Sequence, residues 1–173
     1  MRGESPVTVD LESLTLRSGE AAKLDLTLRP APPVVGGEEL ALERDAIDAR
    51  VDVSRTTSGY ALRLRTEVPV AGACARCLEA AGMTVSIDVR EVEQGGSKDS
   101  ELRSPYVTDG ELDVAAWARD ALRLGLPERL LCRADCAGLC EICGISLNDI
   151  DPAEHRHEPP RDPRFARLSE LLE

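Results

Sequence analysis

Apolar and polar residues alternate with a period of two along much of the chain. Residues 7–11 place Val7, Val9 and Leu11 on one side and Thr8 and Asp10 on the other, and residues 24–28 repeat the pattern. Such alternation predicts half-buried strands. It is strongest between 40 and 94. Ile47, Ala49, Val51 and Val53 alternate with Asp48, Arg50, Asp52 and Ser54, and Leu62, Leu64, Thr66 and Val68 alternate with Arg63, Arg65 and Glu67. The link Thr56-Thr57-Ser58-Gly59 has turn chemistry, so the two runs predict an antiparallel hairpin. A third strand follows, with Val85, Ile87 and Val89 inward and Ser86, Asp88 and Arg90 outward. One face of this sheet is apolar and needs a cover. The row of Arg63 and Arg65 reads as a solvated strand face.

Residues 29–37, rich in Pro and Gly, read as a loop, and residues 94–110 read as a flexible polar link. The period then changes. Val114, Trp117, Ala118, Ala121 and Leu122 form one helical stripe behind Asp113, a suitable N-cap, and Gly125 and Pro127 end it. This helix, with the chain's single Trp, is the predicted cover of the sheet. A short terminal helix is predicted to begin at Asp162 and Pro163, with Phe165, Leu168 and Leu172 on its apolar side. The expected fold is therefore α+β: an antiparallel β-sheet covered by a helix, followed by a C-terminal Cys/His zinc-binding segment and a short terminal helix. Residues 1–130 make the β-rich part with its helix at 113–125, and residues 131–173 the metal-binding part. The two are expected to form one compact unit tied by Cys74 and Cys77.

Composition sharpens this picture. In 173 residues the aromatics are only Tyr60, Tyr106, Trp117 and Phe165, so the core must be aliphatic and each residue buries less area. Six cysteines offer a second source of stability. The N-terminus is polar and is followed by no apolar stretch of signal length, which predicts a cytoplasmic, reducing location. There, clustered cysteines bind metal or do redox chemistry more often than they form disulfides. No run of 18 apolar residues exists, so no membrane-spanning helix is predicted.

The cysteines are grouped. Cys74 and Cys77 form C-x2-C. Cys132, Cys136, Cys140 and Cys143 form C-x3-C-x3-C-x2-C, and His155 and His157, the only histidines, follow. Eight thiol and imidazole donors match the needs of two tetrahedral zinc ions. One pairing joins Cys74, Cys77, Cys132 and Cys136 at one ion and Cys140, Cys143, His155 and His157 at another. A rival joins Cys74 and Cys77 to Cys140 and Cys143, leaving Cys132 and Cys136 free or with the histidines. The histidines also read as solvated residues among Glu154, Arg156 and Glu158. A redox pair at Cys74 and Cys77 lacks a surrounding βαβ pattern. Sulfur-rich sites are closed, and no H-E-x-x-H or H-x-E…P-C-x-x-C pattern occurs, so no enzyme is predicted.

Residues 74–79 (CARCLE), 126–132 (LPERLLC) and 135–144 (DCAGLCEICG), then Leu147-Asn148 and residues 162–168 (DPRFARL), resemble the YceD family over roughly residues 40–172. That family is named for accumulation of large-subunit ribosomal RNA and is described as metal-binding, with a suggested nucleic-acid role. The resemblance implies a bacterial cytoplasmic factor, with a plastid relative in plants, that supports processing or accumulation of this RNA. Its cysteine signatures carry over onto Cys74, Cys77, Cys136, Cys140 and Cys143, with Cys132 in the preceding Leu-Cys position. Many relatives carry a C-x-C pair after the Leu-Asn; here His155-Arg156-His157 stands in roughly that place, which favours the histidines as ligands.

Charge bears on the partner. The chain carries 32 acids against 21 bases, a net charge of −11. From residue 130 to 173 there are nine acids and five bases. Such a surface repels phosphates unless a small Arg stripe is segregated, and aromatic stacking platforms are nearly absent. The expected partner is a basic ribosomal protein or a ribosomal RNA processing factor, with direct RNA contact as the alternative. A thiol redox or metal sensor is the third reading.

Overall fold

The computed structural model describes residues 7–151 and 155–157. Its main sheet is antiparallel and is built around a long hairpin. Strands β6 (Ile47–Arg55), β7 (Tyr60–Ala73) and β8 (Ala80–Glu93) follow one another in sequence, and β7 lies between the other two. The Leu62 row faces the core: Val51, Val53, Leu62, Leu64, Val68, Val85 and Ile87 are buried. Strand β2 (Ala21–Leu28) flanks β6 at one edge, and the two-residue β5 (Ala41–Leu42) pairs with the far end of β7. The hairpin expected across residues 56–59 forms between β6 and β7, with Arg55 opposite Tyr60.

Strands β7 and β8 are each 14 residues long and paired throughout, well beyond the alternating core of each. Pro69 lies inside β7, where its missing N–H should break a ladder. Its carbonyl accepts from the Glu43 amide, so this residue faces the edge where β6 gives way to β5, and the missing donor falls at that gap.

The N-terminal strand β1 (Thr8–Asp10) does not join this sheet. It pairs with β10 (Glu111–Asp113), which pairs in turn with β9 (Val107–Thr108). A small hairpin of β3 (Val34–Val35) and β4 (Glu38–Glu39) interrupts the loop expected at 29–37. The link at 94–110 is more ordered than its composition predicts. It holds a 3₁₀ turn at Ser100–Leu102 as well as β9, and the Glu93 carboxylate accepts from the Ser104 amide at 2.9 Å with both residues buried. That bond anchors the segment to the end of β8, a non-local contact that composition does not encode.

Helix α1 (Val114–Gly125) starts where expected. Asp113 Oδ1 accepts from the Ala116 amide at 2.9 Å, the N-cap bond. The whole predicted stripe, from Val114 to Leu122, is buried. The helix packs on β8 and β1, and at Gly125 a Cβ would lie 2.8 Å from Val85 Cγ1, so this approach needs glycine. Among the described residues this is the one α-helix; the terminal helix expected at residue 162 lies outside them.

The opposite sheet face is polar and laced by cross-strand ion pairs, two of them diagonal and the Arg50–Asp25 pair directly opposite. Arg63 donates twice to Asp88, at 2.7 and 2.6 Å, Arg65 donates to Asp52, and Arg50 donates to Asp25 at 2.7 Å. The Arg50–Asp25 and Arg63–Asp88 pairs remain substantially exposed, where solvent leaves such pairs little net effect on stability; the Arg65–Asp52 pair is more enclosed, with Asp52 Oδ1 and Arg65 Nε buried.

Candidate metal centre

The β7–β8 hairpin ends in a six-residue tip, residues 74–79, that holds the first C-x2-C pair. The Cys74 amide donates to the Glu79 carbonyl at 2.7 Å, and the Leu78 amide donates back to the Cys74 carbonyl at 3.0 Å. Leu78 takes φ +63° to allow this. The tight turn aims both thiols inward, and the Arg76 amide lies 3.4 Å from Cys74 Sγ. Cys132 and Cys136 arrive on the segment after α1. It is pinned to the tip by the Ala75 amide on the Leu130 carbonyl at 2.8 Å, and by Arg76 Nη1 on the Cys136 carbonyl at 2.8 Å.

The four sulfurs lie within 4.8 Å of one another. Cys74 Sγ and Cys136 Sγ are 3.8 Å apart, and Cys77 Sγ and Cys132 Sγ 3.6 Å. Four sulfurs about 2.3 Å from a common centre in a tetrahedron lie about 3.8 Å from one another. These separations are far too long for disulfides, whose sulfurs sit about 2.0 Å apart. The donor set therefore fits a tetrahedral metal ion, and its surroundings are closed: Cys74, Cys77 and Cys136 are buried and Cys132 is half-buried.

The second group repeats the turn. The Cys140 amide donates to the Ile145 carbonyl at 2.8 Å, the Gly144 amide donates to the Cys140 carbonyl at 2.8 Å, and Gly144 has φ +73°. Cys140, Cys143, His155 and His157 place their donor atoms within 4.8 Å of one another. Cys143 Sγ is 3.5 Å from His155 Nε2, and the two Nε2 atoms are 3.1 Å apart. A shared ion at about 2.3 Å from sulfur and about 2.0–2.1 Å from nitrogen requires separations of about 3.5 and about 3.4 Å. The group fits a metal, and it is more exposed than the first: Cys143 and His157 face solvent.

The thiols of each group respond to one another. Burial pushes the Cys74 thiol up, but hydrogen bonds from the Cys77, Arg76 and Cys132 amides and from the Cys77 thiol outweigh it and bring it down to about 6. Cys132 is driven up to about 12, by burial and by the neighbouring sulfurs of Cys77, Cys136 and Cys74. Crowded sulfurs resist collecting charge together, and a cation in their midst removes that opposition. In the second group His155 and the Cys143 and Ile142 amides bring Cys140 down to about 6.

All eight residues singled out from the sequence fall into these two groups, and Cys74 and Cys77 do not share one with Cys140 and Cys143. Sequence reasoning missed the residues that align the two. Asn148 is the clearest: its Oδ1 accepts from the Ala137 amide at 2.9 Å and its carbonyl accepts from Arg133 at 3.0 Å. It thus clamps the second turn onto the segment carrying Cys136. Its place after Leu147, in the Leu-Asn pair that resembles the family's, was the available signal. Arg76 had the same kind of signal, its place between the two cysteines of the CARCLE segment, residues 74–79.

The protein is thus an antiparallel-sheet fold carrying two Cys/His groups that could each hold a metal ion. The chain belongs to the YceD family: the profile of the family described as "Large ribosomal RNA subunit accumulation protein YceD" matches residues 62–172. The family description places it with large-subunit ribosomal RNA. An uncharacterized protein of Mycobacterium tuberculosis is 33% identical over 97% of this chain and 82% of its own length, and one of Mycobacterium bovis matches equally. An uncharacterized protein of Mycobacterium leprae is 29% identical over 97% of this chain and 78% of its own. No solved structure matches the chain. The described residues hold no helix long and apolar enough to cross a membrane.

Proposed function

We propose that this chain is a zinc-binding, non-enzymatic factor that supports accumulation of large-subunit ribosomal RNA in the bacterial cytoplasm through contacts with protein. The observation that carries the metal reading is the pair of donor groups whose spacings match tetrahedral coordination edges. Cys74, Cys77, Cys132 and Cys136 would hold one zinc ion, and Cys140, Cys143, His155 and His157 another. Mixed thiolate and imidazole donors suit zinc. With four protein ligands at each ion, neither leaves a position for a substrate or an activated water, which supports a structural and not a catalytic role.

On this reading residues 1–130 form the β-rich body, with α1 covering the apolar face, and residues 131–173 form the metal-binding part. The first ion would staple the hairpin tip to that part and stabilise an aliphatic core. The net charge of −11 favours a basic ribosomal protein or processing factor over bare RNA, because opposite potentials speed encounter and set specificity. Elemental analysis of reduced protein should find two zinc ions per chain; none, with melting insensitive to chelators, would overturn the metal reading. Affinity capture from a bacterial lysate should retain large-subunit proteins after RNase treatment. Loss of every partner with RNase would replace protein contact by direct RNA binding.

A further inference from the structure

Strand β2 ends the main sheet, and among the described residues no strand pairs with it on the side away from β6. The hydrogen-bond phase can be read from its start. Arg55 donates to the Glu20 carbonyl at 2.9 Å, so that pair is bonded. Bonded pairs alternate in an antiparallel ladder. Ala22, Leu24, Leu26 and Leu28 therefore direct their amides at β6, opposite Val53, Val51, Ala49 and Ile47. Ala21, Lys23, Asp25 and Thr27 turn theirs outward. A glycine bulge opens the strand, where the Gly19 amide donates to the Arg55 carbonyl at φ +89°, but from Ala21 to Leu28 the strand is regular and has no proline. The charges on this edge, Lys23 and Asp25, are of opposite sign, so they guard it against other strands and not against a matching copy of itself.

The geometry points to this edge as a self-complementary interface: β2 pairs antiparallel with β2 of a second copy, about a two-fold axis through Leu24. In that register Lys23 of each copy stands opposite Asp25 of the other, and Ala21 stands opposite Thr27. All four are residues whose amides point outward, so every pair is a bonded one, and eight backbone hydrogen bonds form. On the polar face two Lys23–Asp25 ion pairs face each other directly. On the apolar face Leu24 meets its own copy, and Ala22 meets Leu26. These three residues are only half-buried in the single chain, at the margin of an otherwise buried core, and the second copy completes their burial.

Charge selects this register. Sliding one copy by two residues sets Lys23 against Lys23, or Asp25 against Asp25. Sliding by one turns the leucines to the polar face. The interface is isologous, as a two-fold dimer requires.

Sedimentation from micromolar to hundreds of micromolar concentration tests the pairing. The full chain should dimerise in a concentration-dependent way. Lys23→Asp should weaken the dimer about tenfold or more, because it replaces two attractive pairs by repulsive ones; Asp25→Lys should do the same, and it also removes the in-chain partner of Arg50, so Lys23→Asp is the cleaner single variant. Mixing the two variants should restore a dimer, since their charges are then complementary. Wild type that stays monomeric throughout overturns the proposal, as do single variants that dimerise normally or a mixture that stays monomeric. Hydrogen exchange on unmodified protein gives a second readout that does not depend on variants folding. The Lys23, Asp25 and Thr27 amides should slow as concentration rises, and uniformly fast exchange overturns the pairing.

Discussion

Leu78 and Gly144 occupy the same position in two matching turns: each donates its amide to the carbonyl of the cysteine four residues earlier, and each has a left-handed φ, +63° and +73°. Only one of them is the residue that this conformation favours. A left-handed leucine costs about 1–2 kcal/mol, and Leu78 is also exposed. Part of that cost disappears with glycine, offset by about 0.5–1 kcal/mol of extra unfolded-state entropy. Leu78→Gly should therefore leave stability unchanged or raise it by up to about 1 kcal/mol. Gly144→Ala should lower retention of the second metal by at least severalfold. Urea unfolding and chelator competition on the two variants check this.

Removing a donor from each group separates their roles. Cys136→Ser strikes the buried group, which joins residues 55 and 62 apart in sequence. It should destabilise the whole domain by about 2–5 kcal/mol, the range for losing a structural cross-link. Cys143→Ser strikes an exposed turn and should lose one zinc per chain while the sheet melts nearly as before. Calorimetry with metal analysis distinguishes the two outcomes.

Asn148→Ala removes the acceptor for the Ala137 amide without touching a donor atom. A lost bond of this kind costs about 1 kcal/mol. Outer contacts that orient ligands are worth about tenfold or more in metal affinity. The second group should therefore yield its zinc to a chelator earlier, while the first is unaffected. Competition with a chromophoric chelator would show one displaced equivalent and one that holds.

The Arg63 guanidinium, bonded twice to Asp88, holds this carboxyl below the usual range against a smaller opposing effect of burial. A depressed folded value means that Asp88 stabilises the fold above the unfolded carboxylate value. That contribution is lost as pH falls through the lower folded one. In urea, wild type should exceed Asp88→Asn at about pH 7, and the gap should narrow toward about pH 3. A gap independent of pH would mean that the ion pair contributes nothing.

Much of the fold was legible because alternation reports which face of a strand is buried. Val51, Leu64 and Ile87 are core residues, as their period of two predicts, and Asp113 caps a helix whose stripe is wholly buried. The ends of β7 and β8 were not legible. Pro69, Gly72, Ala80, Ala81 and Gly82 carry little strand preference, and they extend because each finds a partner across the hairpin. The ordered segment after Glu93 was hidden for the same reason: the Ser104 amide donates to the buried Glu93 carboxylate and so holds polar residues that read as a link.

The sequence by itself determined the period, the caps, and the two C-x2-C pairs whose spacing brings thiols together within a single turn. Those are local properties, set by backbone geometry over a few residues. Which turn meets which cysteine was decided only by tertiary structure. Cys74 reaches Cys136, and Cys140 keeps company with His155, because the hairpin tip docks on the segment after α1 through Ala75, Leu130 and Arg76. Either pairing satisfies the same spacings along the chain. What separates them is the non-local packing that must offset the entropy of closing a loop of more than fifty residues, and no local pattern records it.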